Sequence, residues 1–216
     1  MTKKLLLAGV LVLSTAFLAV AACQQGGTVT SSTEVKDSAL PKGWVKAEVT
    51  GEKMSIGCPP GWHAIDMTAN DFDKTMDSVQ LDATTRSQIK ELAANKAFKL
   101  IVMHKIEVDF SPNLTIIETP SPSRVTLDQL RDANIEELKS TATGSPVVSK
   151  TTVDGVDAYL IKWQQPKPMG SSKDILNEWS YLLLKDNNQY MLTFTTVPSD
   201  GLDKEVAGMF NTFHLG

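Results

Sequence analysis

Apolar and polar positions along the chain follow two periods. Met54, Ile56 and Cys58 alternate with Lys53, Ser55 and Gly57, which predicts a half-buried strand. Pro59-Pro60-Gly61 interrupts it, and Trp62-His63-Ala64-Ile65 resumes an extended reading. Residues 69–95 carry helical spacing in two pieces, with Phe72, Met76 and Val79 on one face and Ile89, Leu92 and Ala93 on another. From Phe98 to Met103 both parities are apolar, the pattern of a strand covered on both sides. Leu114 to Ile117 predicts a shorter strand. Thr126-x-x-Gln129 matches a capping box that opens a helix running to Lys139, with Leu127, Leu130 and Leu138 inward.

The last third predicts mostly sheet. Val147–Val153 and Val156–Trp163 flank Asp154-Gly155, a dipeptide suited to a tight hairpin turn. Glu178–Lys185 and Gln189–Val197 form a second hairpin around Asp186-Asn187-Asn188. Leu202, Val206, Met209, Phe210 and Phe213 make one apolar stripe on a final helix. There is no internal repeat and no second linker, so residues 41–216 read as one domain of the α+β class.

The N-terminus changes the picture. Lys3 and Lys4 precede an uncharged, mainly apolar stretch from Leu5 to Val20, then the small residues Ala21 and Ala22, then Cys23. These are the parts of a secretory signal. A membrane-spanning helix needs about 20 apolar residues, and here the stretch gives way to a cysteine and polar residues. Val20-Ala21-Ala22-Cys23 resembles a bacterial lipobox. The resemblance implies cleavage after residue 22, a diacylglycerol thioether on Cys23 and a further acyl chain such as palmitate. Two chains suffice for stable anchoring where one does not. Gln24 implies the outer membrane where the host has two. Residues 23–40 are rich in Gly, Ser and Thr and read as a flexible tether, reaching on the order of 20–25 Å.

Charge and cysteine content narrow the partners. The full chain carries a formal charge of −4, and loss of residues 1–22 removes two lysines and no acid. An acidic field does not draw nucleic acid, so the expected partners are the membrane, through Cys23, and an envelope protein. With Cys23 acylated only Cys58 remains, and no internal disulfide is possible.

Candidate chemistry is sparse. His63, His104 and His214 lack the short spacing of a zinc motif. Cys58 shares the parity of Met54 and Ile56, so packing is expected of it in preference to a nucleophilic pair with His63. Asp71, Asp73, Asp77 and Asp82 fail the calcium-loop pattern, because Met76 stands where a glycine is needed. They read as helix-surface carboxylates. Asn113-Leu114-Thr115 matches a glycosylation acceptor by accident of sequence. Trp62 and Trp179 are expected in or near the core. Trp163, Gln164, Gln165 and Pro166 close a strand before a Pro/Gly/Ser loop, 164–172, and are the candidate partner contacts. No catalytic or metal residues and no cofactor are assigned.

Several segments together resemble the PsbP-like superfamily, which includes Mog-type Ran-binding proteins and bacterial lipoproteins. They are Met54 to Trp62, Leu127-x-x-Leu130, Val153 to Tyr159 and Met209-Phe210-x-x-Phe213. The resemblance spans most of residues 44–216. It implies a mainly antiparallel sheet flanked by helices, an α/β/α sandwich. It carries no shared catalytic motif. The expected function is a lipid-anchored, extracytoplasmic, non-catalytic accessory, assembly or stress-related binding protein of the bacterial envelope. The alternatives are an envelope hydrolase, or a binder of a small hydrophobic ligand or metal.

Overall fold

Alternation of period two builds most of this molecule, because each strand must hide one row of side chains on either side of a sheet. The structure, a computed structural model, describes residues 40–79, 83–104, 111–121, 124–166, 175–198 and 201–216. The expected signal peptide, Cys23, the expected tether up to residue 39 and residues 167–174 of the loop lie outside the described residues. The elements, in order, are β1 (Val45–Glu48), β2 (Met54–Cys58), β3 (His63–Asp66), α1 (Phe72–Ser78), α2 (Ala83–Ala94), β4 (Phe98–Met103) and β5 (Asn113–Pro120). Then come α3 (Leu127–Leu138), β6 (Val147–Val153), β7 (Val156–Pro166), β8 (Ile175–Lys185), β9 (Asn188–Thr196), α4 (Asp203–Asn211) and β10 (His214–Leu215).

Seven strands form one antiparallel sheet in the order β3-β4-β5-β9-β8-β7-β6, and β1-β2-β10 form a smaller one. The register carries Ile65 to Ile101, Thr115, Thr193, Ser180 and Ile161 along one face of the large sheet. Two groups of helices cover that face. Met76 and Ile89, from α1 and α2, pack with Ile65, Ile101, Met103 and Ile117. Leu138, the last residue of α3, packs with Tyr159, Ile161 and Trp163. Leu100, Val102, Leu114, Leu192 and Phe194 point to the other face, where Ile56 of the small sheet and Val206, Met209 and Phe210 of α4 cover them. β4 is therefore apolar on both parities for the reason expected: it lies between β3 and β5 with a layer on each side.

Local chemistry sets the boundaries. The Thr126 side chain accepts from the Gln129 amide at 3.2 Å, and the Gln129 side chain accepts from the Thr126 amide at 2.9 Å, closing the capping box of α3. Asp154 and Gly155 both have positive φ, at 50° and 73°, as do Asp186 and Asn187, at 51° and 62°. Each pair is a two-residue turn whose twist matches the flanking strands. Asn188 is thus the first residue of β9 and not part of the turn.

The α+β class and the mainly antiparallel sheet are as the sequence predicts, with one refinement. The layer on the second face is mixed, a three-stranded sheet together with α4. Neither β1 nor β10 was predicted. Only Ala47 is buried in β1, and β10 has two residues, so neither offers an alternation to read. The C-terminus is held by a clasp. The Leu215 amide donates to Asp154 Oδ2 at 2.8 Å, the Gly216 amide donates to the Lys53 carbonyl at 2.7 Å, and Lys185 Nζ donates to the Leu215 carbonyl.

Gly57 of β2 packs closely against Leu40 and against Thr212, the residue that ends α4. A Cβ there would lie 2.7 Å from Leu40 Cδ2 and 2.8 Å from Thr212 Oγ1, the atom to which the Gly57 amide donates. Gly57→Ala is expected to lower stability by about 1–3 kcal/mol through overpacking. In urea denaturation the midpoint should fall with little change of slope.

Candidate functional site

Alternation along β7 divides the four candidate partner contacts into two pairs. Trp163 and Gln165 face α3 and are buried, at 8% and 4% exposure, whereas Gln164 and Pro166 are exposed on the opposite face. Of the four, Gln164 and Pro166 are the exposed pair at this strand end. Trp163 packs under α3, and α3 is pinned there by Tyr159, whose hydroxyl donates to Asp128 and accepts from Arg131 Nη1 at 2.7 Å. Because the docking of α3 is a tertiary contact, the residues of β7 alone did not show which parity it would cover.

The layer formed by α4 and the small sheet ends before β6, β7 and β8 do. Tyr181 meets Phe210 of α4, with ring centroids 4.1 Å apart, and Trp179 is the next residue on that face of β8. Beyond that point the face is open. Val147, Lys162 and Trp179 stand side by side across three strands. Val147 is 67% exposed. Lys162 Nζ lies 5.0 Å from the centroid of the Trp179 ring, a cation–π contact. Gln164 Nε2 donates to Asn177 Oδ1 at 2.9 Å. Among the described residues Lys162 makes no ion pair. Trp179 is thus only partly covered, while Trp62 is buried, touching Phe194 and His104 and donating from Nε1 to Glu205 Oε2 at 2.8 Å.

Directly behind this open strip lies a buried polar row. Glu178 is 2% exposed and stands opposite both Trp163 and Thr195. Thr195 Oγ1 donates to one carboxyl oxygen and Gln165 Nε2 to the other, each at 2.7 Å. Ser180 and Thr193 share a hydrogen bond of 3.1 Å in the next row. Burial outweighs the two hydrogen bonds and pushes the Glu178 carboxyl up to about 8, so it is largely protonated at neutral pH. Alternation flagged position 178 as one of strand parity, but nothing in the sequence distinguished a buried glutamate from a surface one.

The other candidates are separate. Cys58 is buried in the main core, and burial pushes its thiol up to about 12, so it stays protonated. His63 is exposed on β3, His104 rests 5.1 Å from Trp62 ring to ring, and His214 Nδ1 lies 3.1 Å from Asp154 Oδ2. Asp73 pairs with Lys90 at 2.7 Å and Asp77 pairs with Arg86, tying α1 to α2; Asp82 lies outside the described residues. Asn113 is fully buried in β5. Between the sheet and α3, a cavity of about 10 Å³ is lined by Ile117, Thr119, Asn134, Leu182, Gln189 and Met191, room for no more than one water.

No family model matches the chain, and no curated protein matches its sequence. Solved structures do match it in fold. Cyanobacterial PsbP (CyanoP) from Synechocystis sp. PCC 6803 superposes with a TM-score of 0.51 at 13% identity, covering 88% of this chain and 100% of its own. LpqN, involved in cell envelope biogenesis of Mycobacterium tuberculosis, superposes with a TM-score of 0.50 at 10% identity, covering 79% of this chain and 90% of its own. The fold is PsbP-like, as the resemblance in sequence implied.

The buried carboxyl makes stability depend on pH. Between about 4.5 and about 8 the folded chain retains a proton on Glu178 that the unfolded chain has released. The folded state binds more protons across that window, so stability falls as pH rises, by up to about 1.4 kcal/mol per unit from this group. Glu178→Gln should remove that part of the slope, as read from urea midpoints measured at several pH values. A variant whose midpoints follow the parent's pH dependence across the window would refute the assignment.

Proposed function

We propose that this chain is a lipid-anchored, extracytoplasmic binding protein of the bacterial envelope, acting by contact and not by catalysis. The observation that carries this reading is the open face at Val147, Lys162 and Gln164, beside a partly buried Trp179, on a sheet whose central strands β4, β5 and β9 are covered on both faces. A partly exposed tryptophan on an uncovered sheet face is the kind of residue that anchors a contact surface. The fold is shared with an envelope-biogenesis protein, which supports the same setting by analogy. Attachment is assigned to acyl chains on Cys23, on the resemblance of Val20-Ala21-Ala22-Cys23 to a lipobox. Gln24 points to the outer membrane in a host that has two.

Two measurements test this. Cys23→Ser should abolish incorporation of labelled palmitate and move the protein from the membrane pellet to the soluble fraction. A photo-crosslinking residue in place of Gln164 should capture the same envelope component repeatedly, whereas one in place of Glu48, on β1, should not. Equal capture from both positions, or none from either, would remove the basis for a contact surface at this end of the sheet.

A further inference from the structure

The seven-stranded sheet has two edges, and they are not alike. β3 is four residues long, and its last residue, Asp66, is occupied: Oδ2 accepts from the Thr50 amide at 2.7 Å and Oδ1 from the Thr68 amide at 2.8 Å. β6 is seven residues long and, among the described residues, pairs only with β7. Its outer row of N–H and C=O groups has no strand beside it. Such an edge is a template for another strand unless something blocks it.

The composition of β6 says what it admits. Val147, Val148, Thr151, Thr152 and Val153 are β-branched, which suits pairing. The strand contains no proline and no acid; its single charge is Lys150, in the middle and exposed. Val148 packs toward α3 and Val153 toward the main core, so Lys150 shares the α3 face and Val147 shares the open face with Lys162. Lys150 Nζ lies 5.9 Å from the centroid of the Tyr159 ring and, among the described residues, makes no ion pair. Lys150 acts on Asp128, which is held below the usual carboxylate range first by the hydrogen bond from Tyr159 and further by Arg131 and Lys150. Two lysines with no ion pair among the described residues therefore lie beside the free edge, one on each face of the sheet.

We propose that β6 receives an extended segment of a partner protein as an eighth strand, with an acidic side chain set against Lys150 and a β-branched one beside Val147. This rests on the reading of the chain as an envelope binding protein and supplies the chemistry of its partner. Main-chain hydrogen bonds to β6 provide the attachment, and alternate side chains provide the selection. Opposite charges directly across a strand pair stabilise it, and like charges do the reverse. The same lysine disfavours a second copy of this chain, since two β6 strands paired antiparallel about Lys150 would set the two ammonium groups face to face.

The test uses the full-length chain in detergent micelles and two peptides that match β6 in length, one alternating Glu with Val and the other Lys with Val. Binding is read by fluorescence anisotropy. The Glu/Val peptide should bind about tenfold or more tightly than the Lys/Val peptide. Hydrogen exchange should slow at amides 147–153 in the complex. Lys150→Glu, at an exposed position, should reverse the order of the two peptides, and N-methylation of alternate peptide amides should abolish binding. An unchanged preference in Lys150→Glu, or protection at another element, overturns the proposal. So does a dimer of the full chain in sedimentation whose interface protects 147–153. Failure of both peptides while the Gln164 crosslink still captures one envelope component overturns the strand-addition proposal alone. Failure of the crosslink as well removes the binding role beneath it.

Discussion

A sheet has two faces to hide from water, and in this molecule the covering elements run out before the strands do. β4, β5 and β9 are covered on both sides, which is why Leu100, Ile101, Val102, Leu114, Ile116, Leu192 and Phe194 are all buried regardless of parity. On the α3 side β8 and the part of β7 from Tyr159 to Gln165 are covered and β6 only in part; on the other side the three strands are covered only near the hairpin turns, where α4 and the C-terminal clasp reach them. Everything distinctive about the candidate surface follows from that asymmetry. Strand parity decides that Trp163 is core and Lys162 is surface. Tyr181 meets Phe210 of α4 and Trp179 meets Phe194 of β9, and both rings are partly buried against the main core.

The buried row behind the open strip gives that surface a fixed frame. Glu178, Gln165 and Thr195 join β8 to its two neighbours by side-chain hydrogen bonds in addition to the ladder. A one-residue slip of β7 would turn Gln165 outward and leave one carboxyl oxygen without its donor. It would also bring Lys162 or Gln164 under α3 in place of Trp163. Register is specified strongly where a face is buried, and here a polar network adds to the apolar one. Burying a carboxyl costs stability, and protonation lowers that cost at neutral pH. The result is a strip of alternating positions whose register is fixed from behind by the buried row.

Much of the fold was legible because its signals are local. The capping box at Thr126 and Gln129, the Asp154-Gly155 turn and the double-parity apolar run of β4 each depend on a few adjacent residues, and each formed as read. The candidate site was legible only as to place. The strand end at 163–166 is where the open surface lies, yet the residues singled out included the two that point inward. The sequence of β7 shows alternation but not which parity a distant helix will cover. That choice is made by Leu138 and by the Tyr159, Asp128 and Arg131 contacts, which join residues about thirty positions apart. For the same reason Glu178 carried no signal. Its environment is assembled from β7, β8 and β9, and a glutamate in an alternating strand looks like any exposed one.

The position where the chain enters the domain bears on how the surface is presented. Leu40 lies against Gly57 and close to Thr212, and three residues after Thr212 the Leu215 amide bonds to Asp154 at the tip of the β6–β7 hairpin. Val147 and Lys162 sit at the other end of that hairpin, roughly 20 Å away along the strands. Leu40 meets β2 at Gly57, toward the Cys58 end that pairs with Val45, whereas the clasp holds the Met54 end, which pairs with Leu215. The chain therefore enters the small sheet at the end of β2 away from the clasp. In the proposed lipid-anchored protein, a segment leading back to an acylated Cys23 starts from that end, so the anchor is not tied to the clasped end of the β6–β7 hairpin.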